Sequence, residues 1–208
     1  MVLAFCIIVG LVAGSFFNTV IYRLPRGQSL IDNWSCCPVC RARLQIVDLV
    51  PLIGYIALRG CCRSCRTRIS PRYPLVELLT AAGFMIAYMR YSMSVSALAG
   101  CLFVSLLIIC AFTDLETGII PDLVTFPGII AGFSLSFMTI GWQSSLLGSL
   151  AFGGALFITG VLSGGGMGGG DVKLGAAIGA FTGLKMGMAA FVLASLLGGL
   201  FFFTCKLY

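Results

Sequence analysis

The chain has 208 residues, 59% hydrophobic and 10% charged, with a mean hydropathy of +1.07 and a formal net charge of +6. Soluble domains carry about a quarter charged residues, so the composition excludes a water-soluble globular protein and points to an all-α polytopic membrane protein. Histidine is absent. That excludes His-based nucleophiles, His proton relays and His-ligated metals, and leaves acid–base chemistry near neutral pH to seven carboxylates: Asp32, Asp48, Glu77, Asp114, Glu116, Asp122 and Asp171.

A spanning helix needs roughly 20 mostly apolar residues. The first such stretch, Met1–Tyr22, lacks the basic start and small-residue cleavage site of a signal peptide and is expected to remain as a helix. Its Gly10, Gly14 and Ser15 permit close helix contact, and Asn18 reads as polar glue between helices. Arg23–Tyr73 is the one extended polar segment and holds nine of the 13 Lys and Arg residues. The excess of positive charge places it in the cytoplasm and the N-terminus outside. Its arginines suit anionic lipid heads. No aromatic platform accompanies them, so nucleic acid is not the expected partner.

Ten cysteines are present. Cys6, Cys101, Cys110 and Cys205 lie singly in apolar sequence as packing residues. The other six cluster as Cys36-Cys37-Pro-Val-Cys40 and Cys61-Cys62-Arg-Ser-Cys65. Two C-x-x-C turns at this separation match a tetrathiolate zinc site, and a reducing cytoplasm argues against disulfides. Equal spacing in both turns selects Cys37, Cys40, Cys62 and Cys65 as ligands of one structural zinc. Four thiolates leave no open position for catalysis.

Further spans are expected at Pro74–Arg90, at Ser94–Thr113, and from Pro121 to about Ile140. Another follows at Ser145–Leu162, then a partial span from Asp171 to Gly183, and a last one at Gly187–Phe203. This gives about seven helices and three regions: 1–22, a cytoplasmic tetracysteine module at 23–73, and the remaining helices at 74–208. Counted this way, Asp114-Leu-Glu116 and the run Ser163-Gly-Gly-Gly-Met-Gly-Gly-Gly-Asp171 both fall on the cytoplasmic face. An ionisable residue at a membrane helix end is a functional candidate. Two carboxylates at one depth suggest a dyad sharing one proton, as in aspartic proteases. Gly168 and Gly170 would let a substrate backbone lie beside Asp171. Asp122 reads as a helix-start residue, and the role of Glu116 stays open.

These motifs resemble, in this order through nearly the whole chain, the type IV prepilin peptidases, membrane aspartyl proteases with a G-x-G-D motif. The resemblance is carried by Gly14–Pro25, the two cysteine turns, Ile69-Ser70-x-x-Tyr73-Pro74-x-x-Glu77, Asp114–Asp122 and Gly168–Leu174. It implies an enzyme of the bacterial inner membrane that cuts the leader from prepilins or pseudopilins after a glycine, on the cytoplasmic side. Asp114 and Asp171 take the catalytic positions. Members with the cysteine module also methylate the new N-terminus with S-adenosylmethionine, and Gly60 and Glu77 match positions associated with that half. The family's eighth helix, entered through a Pro-Phe-Gly-Pro-like stretch, has no counterpart in the sequence up to Tyr208. Three other readings compete: a transporter using the two aspartates as an ion site, a non-enzymatic zinc-bearing assembly factor, and a peptidase without methylation.

Overall fold

A computed structural model describes residues 1–30, 35–164, 166 and 168–206, with side chains described up to 194 and at 196. Asp32, Gly165, Met167 and the side chain of Cys205 therefore lie outside the described residues. Among the described residues seven α-helices form: α1 (Val2–Arg23), α2 (Ile53–Ala57), α3 (Arg72–Tyr91), α4 (Val95–Thr117), α5 (Asp122–Ser136), α6 (Trp142–Leu162) and α7 (Gly169–Lys206). The chain divides into two units, Met1–Val124 and Thr125–Tyr208. Among the described residues, four helical stretches are long and apolar enough to cross a membrane: Val2–Arg26, Val95–Thr117, Trp142–Leu162 and Gly169–Ala194. The protein is thus an all-α, multi-pass membrane protein. α5 is apolar but only 15 residues long.

In the first unit α1 and α3 pack antiparallel, backbone against backbone. A Cβ at Gly10 would lie 2.6 Å from the Ala81 Cα, and one at Gly14 would lie 2.7 Å from the Glu77 Cα. One turn further along, the Asn18 amide donates 3.0 Å to the Tyr73 carbonyl, so Asn18 is interhelical glue. Where α3 meets α4, Gly83 stands against Val104, and Gly100 against Ala87. A small core of Val20, Ile21, Val76, Ile108 and Ile109 joins all three helices near the end where the polar module attaches.

Helix ends follow local chemistry rather than hydropathy. α3 begins at Arg72, two residues before the expected Pro74. A proline in the first turn costs nothing, because its missing N–H would have no helical partner there. α4 continues to Thr117, past the expected end at Thr113. Its stop is set by Gly118, which takes the left-handed conformation (φ 64°) and donates 2.8 Å to the Asp114 carbonyl. Glycine adopts this conformation without the Cβ penalty. Asp114 and Glu116 therefore sit inside the last turn of α4, not beyond it. α5 ends at Ser136 instead of near Ile140, and α6 starts at Trp142 instead of Ser145.

In the second unit α6 and α7 pack antiparallel along a seam of small residues. A Cβ at Gly148 would stand 2.5 Å from the Gly179 carbonyl oxygen, and the buried Ser145 hydroxyl donates 2.7 Å to the Ala180 carbonyl. The expected break between the last two spans occurs inside α7 at Gly183 (φ 69°, ψ −177°). This conformation is open to glycine and strained for other residues, and Ser144 closes the space beside it.

The seam gives a sharp test. Gly148→Ala should cost about 1–3 kcal/mol through overpacking. Gly154→Ala, where nothing lies within 4 Å, should be neutral or stabilise by about 0.5–1 kcal/mol, as alanine replacing a helical glycine does. Unfolding of the purified protein in micelles would rank the two variants.

Candidate metal centre and helix-end carboxylates

The six clustered cysteines divide as their spacing predicted. The Sγ atoms of Cys37, Cys40, Cys62 and Cys65 all lie within 4.8 Å of one another, and Cys36 and Cys61 are not among them. Cys37 and Cys65 are 3.8 Å apart at sulfur, and Cys40 and Cys62 are 4.0 Å apart. A disulfide would need about 2.05 Å. Four sulfurs held tetrahedrally at about 2.3 Å from one ion stand about 3.8 Å from each other. The donor set and spacing therefore fit a single tetrahedral metal.

The backbone builds this geometry twice. The Cys37 N–H donates to the Ala42 carbonyl (2.9 Å) and the Arg41 N–H to the Cys37 carbonyl (2.9 Å). In the second turn the Cys62 N–H donates to Thr67 (2.8 Å) and the Arg66 N–H to Cys62 (3.0 Å). Short antiparallel bridges, Cys36 with Arg43 and Cys61 with Arg68, close each turn. The underlying repeat is C-C-x-x-C-R-x-R, at 36–43 and again at 61–68. The repeat extends past each C-x-x-C turn to the two arginines that follow it. Cys36 and Cys61 are thus bridge residues, with thiols outside the four-sulfur cluster.

The thiols respond to their crowding. Hydrogen bonding from the Thr67 side chain and backbone brings the Cys65 thiol down to about 6. Cys40 has a lowering contact from the Ala42 backbone, yet desolvation and three neighbouring thiols push it up to about 11. Thiolates this close repel one another, and a bound cation removes the conflict.

Two contacts tie the module to the helices. The Leu52 N–H donates 2.8 Å to Glu77 Oε2, and Ser15 of α1 lies beside the same carboxylate. Glu77 is only 7% exposed. Arg72, at the module's exit, forms an ion pair with Glu116. Gly60 has φ 66° and both backbone groups engaged, its N–H with the Tyr55 carbonyl (2.9 Å) and its carbonyl with the Ile69 N–H (2.7 Å). Neither the Glu77–Leu52 bond nor the Arg72–Glu116 pair has a sequence signal, since each joins residues distant in the chain.

Asp114 is exposed, in the last turn of α4. Glu116 and Asp114 are two residues apart, so they project to opposite sides of the helix. Engaging Glu116 with Arg72 therefore turns Asp114 away from α3. In the second unit Asp171 lies in the first turn of α7, where the helix dipole favours a carboxylate. Its N–H donates 3.1 Å to the Gly168 carbonyl, and a Cβ at Gly168 would stand 3.4 Å from Asp171 Oδ2. Lys173 lies over the Phe126 ring at 5.1 Å, so the start of α5 flanks the start of α7. Asp122 occupies the first turn of α5, as a helix-start residue should.

Together these features define a polytopic membrane protein with a metal-capable tetracysteine module and carboxylates at two helix ends. Residues 8–91 match the family model for the bacterial peptidase A24 N-terminal domain, and residues 101–203 match the type IV leader peptidase family. The chain belongs to this family of type IV prepilin peptidases. A prepilin leader peptidase/N-methyltransferase of Bacillus subtilis (strain 168) is 39% identical over 201 residues, covering 96% of this chain and 81% of its own. One from Klebsiella pneumoniae is 38% identical over 205 residues (92% and 90%), and one from Neisseria gonorrhoeae 36% over 222 residues (92% and 78%). No solved structure matches.

The ligand set predicts its own mutational pattern. Serine at position 37, 40, 62 or 65 should abolish binding of one metal ion per chain, whereas Cys36→Ser and Cys61→Ser should retain it. Because thiolate ligands must be deprotonated, the metal should also leave on acidification. Elemental analysis of chelator-free protein checks both.

Proposed function

We propose that this chain cleaves the leader of type IV prepilins or pseudopilins and methylates the N-terminus thus created. Relationship to enzymes named for both activities supports this. The observation that carries the catalytic assignment is the position of two carboxylates at helix ends: Asp114 closing α4, and Asp171 opening α7 behind its glycines. Both fall within the peptidase match at 101–203.

In this reading Asp114 and Asp171 share one proton. The ionised carboxylate takes a proton from water, and the water oxygen attacks the scissile carbonyl of the leader's glycine. The protonated partner polarises that carbonyl and then gives its proton to the departing nitrogen. Gly168 and Gly170 leave room for the substrate backbone beside Asp171, and Arg72–Glu116 sets the rotation of the helix turn that carries Asp114.

Zinc is the metal we assign to Cys37, Cys40, Cys62 and Cys65, because a closed tetrahedral thiolate set suits it and leaves no open position. Its role is to fold the module at 23–73, which we assign to methyl transfer. S-adenosylmethionine supplies the methyl group when bound. Gly60 and Glu77 serve that half by shape: their polar groups are engaged internally, and they hold the module's backbone in place. We place the protein in the bacterial inner membrane with the N-terminus outside and the module and both aspartates at the cytoplasmic face. Seven membrane segments follow if α3, α5 and both halves of α7 count with α1, α4 and α6.

Two experiments test this reading. Asp114→Asn and Asp171→Asn should each lower leader cleavage more than tenfold, a barrier increase above about 1.4 kcal/mol. Either variant cleaving faster than that removes the dyad. Given a pre-cut pilin, Asp171→Asn should still methylate it, because that amine already exists, while Cys62→Ser should lose methylation more than cleavage. Mass spectrometry of both products reads the two activities together.

A further inference from the structure

Between the two cysteine turns the chain folds into a tight hairpin that the metal does not require. A 3-10 turn at Ile46–Leu49 packs against α2 at Ile53–Ala57, so closely that Gly54 has no room for a side chain beside the Asp48 carbonyl. Its one carboxylate is engaged within the module: Asp48 accepts from the Gln45 N–H (3.2 Å) and from the Arg63 guanidinium (2.5 Å). The outward surface is apolar. Ile46, Val47, Leu49, Val50, Ile53 and Ile56 are all exposed, Ile46 to 84% and Ile56 to 71%. A patch this concentrated on a small unit marks an interaction surface.

Two further observations say what covers it. The first is depth. The hairpin is fastened at Leu52 to Glu77, five residues beyond Arg72 and so about 7.5 Å along the α3 axis. At that level α3 already exposes Leu75, Leu78 and Leu79, the kind of surface a membrane helix turns to lipid. Glu77 also packs against Gly14 of α1, inside the apolar stretch Val2–Arg26 that is long enough to cross a membrane, so a water-soluble partner would have to enter the bilayer to reach the hairpin. The second is charge. Between Ser35 and Pro71 there are six arginines and one acid, Asp48, which is already paired with Arg63.

We propose that residues 46–57 are a membrane-inserted hairpin that seats the tetracysteine module in an anionic leaflet. Ile46, Val47, Ile53 and Ile56 lie among the upper acyl chains, and the arginines of the two cysteine turns lie on the lipid phosphates. The hairpin holds the module at a set depth beside α3, and through Arg72–Glu116 that depth is shared with the end of α4. The inference rests on α1, against which α3 packs, crossing the bilayer and not on the catalytic assignment.

The test uses the full chain, with Trp34→Phe and Trp142→Phe, in vesicles of phosphatidylglycerol and phosphatidylethanolamine carrying bromine on the upper acyl chain. Ile56→Trp should be quenched as strongly as Ile86→Trp on the exposed face of α3, while Ser64→Trp in the second cysteine turn should not be quenched. Metal content reports that each variant's module is folded; if Ile56→Trp loses its metal, Val47→Trp replaces it. Quenching at Ile86→Trp without quenching at the hairpin overturns the proposal, as does absence of quenching at both. Protection of the hairpin indole by added prepilin would assign the surface to substrate and overturn it too.

Discussion

The antiparallel contact of α1 with α3 is the constraint on which the first unit depends. Without side chains at Gly10 and Gly14, the two backbones approach closely enough for Asn18 to reach the Tyr73 carbonyl and for Ser15 to reach Glu77. In hydrocarbon there is no hydrophobic drive to bring helices together, so close packing and such polar contacts must supply the attraction. The polar module between α1 and α3 has both ends anchored by this contact.

Glu77 is where the helix pair and the module meet. A carboxylate this deeply buried needs a partner, and it has one in the Leu52 N–H, with Ser15 beside it. Its neighbourhood therefore joins α1, α3 and the hairpin between the cysteine turns. Arg72–Glu116 extends the connection to α4. Within the first unit the contacts thus run without a break from the tetracysteine module, through Arg72 at its exit, to the turn of α4 that bears Asp114.

The second unit uses the same device for a different end. Small residues along α6 and α7 let the helices touch, and Gly183 breaks α7 where Ser144 crowds it. Asp171 stands at the opposite end of that short first half, where the N-terminal dipole favours negative charge.

Much of this was legible in the sequence. Hydropathy marks the four helical stretches long and apolar enough to cross a membrane among the described residues, because a bilayer admits only long apolar segments with internal hydrogen bonds. The clustering of Cys37, Cys40, Cys62 and Cys65 follows from spacing, because a tight backbone turn fixes the distance between the two sulfurs of each C-x-x-C. The candidate aspartates stand out because ionisable residues are rare in such sequence. The helix ends were less legible. Hydropathy reports solvent, whereas α4 stops only where Gly118 can turn left-handed and α3 starts as soon as Pro71 and Pro74 allow. What tertiary structure alone decided is which distant groups meet: Leu52 with Glu77, Arg72 with Glu116, Ser145 with Ala180. Such pairs are set by the register of helices packed against each other, and register depends on the shapes of whole surfaces, which no local pattern of residues records.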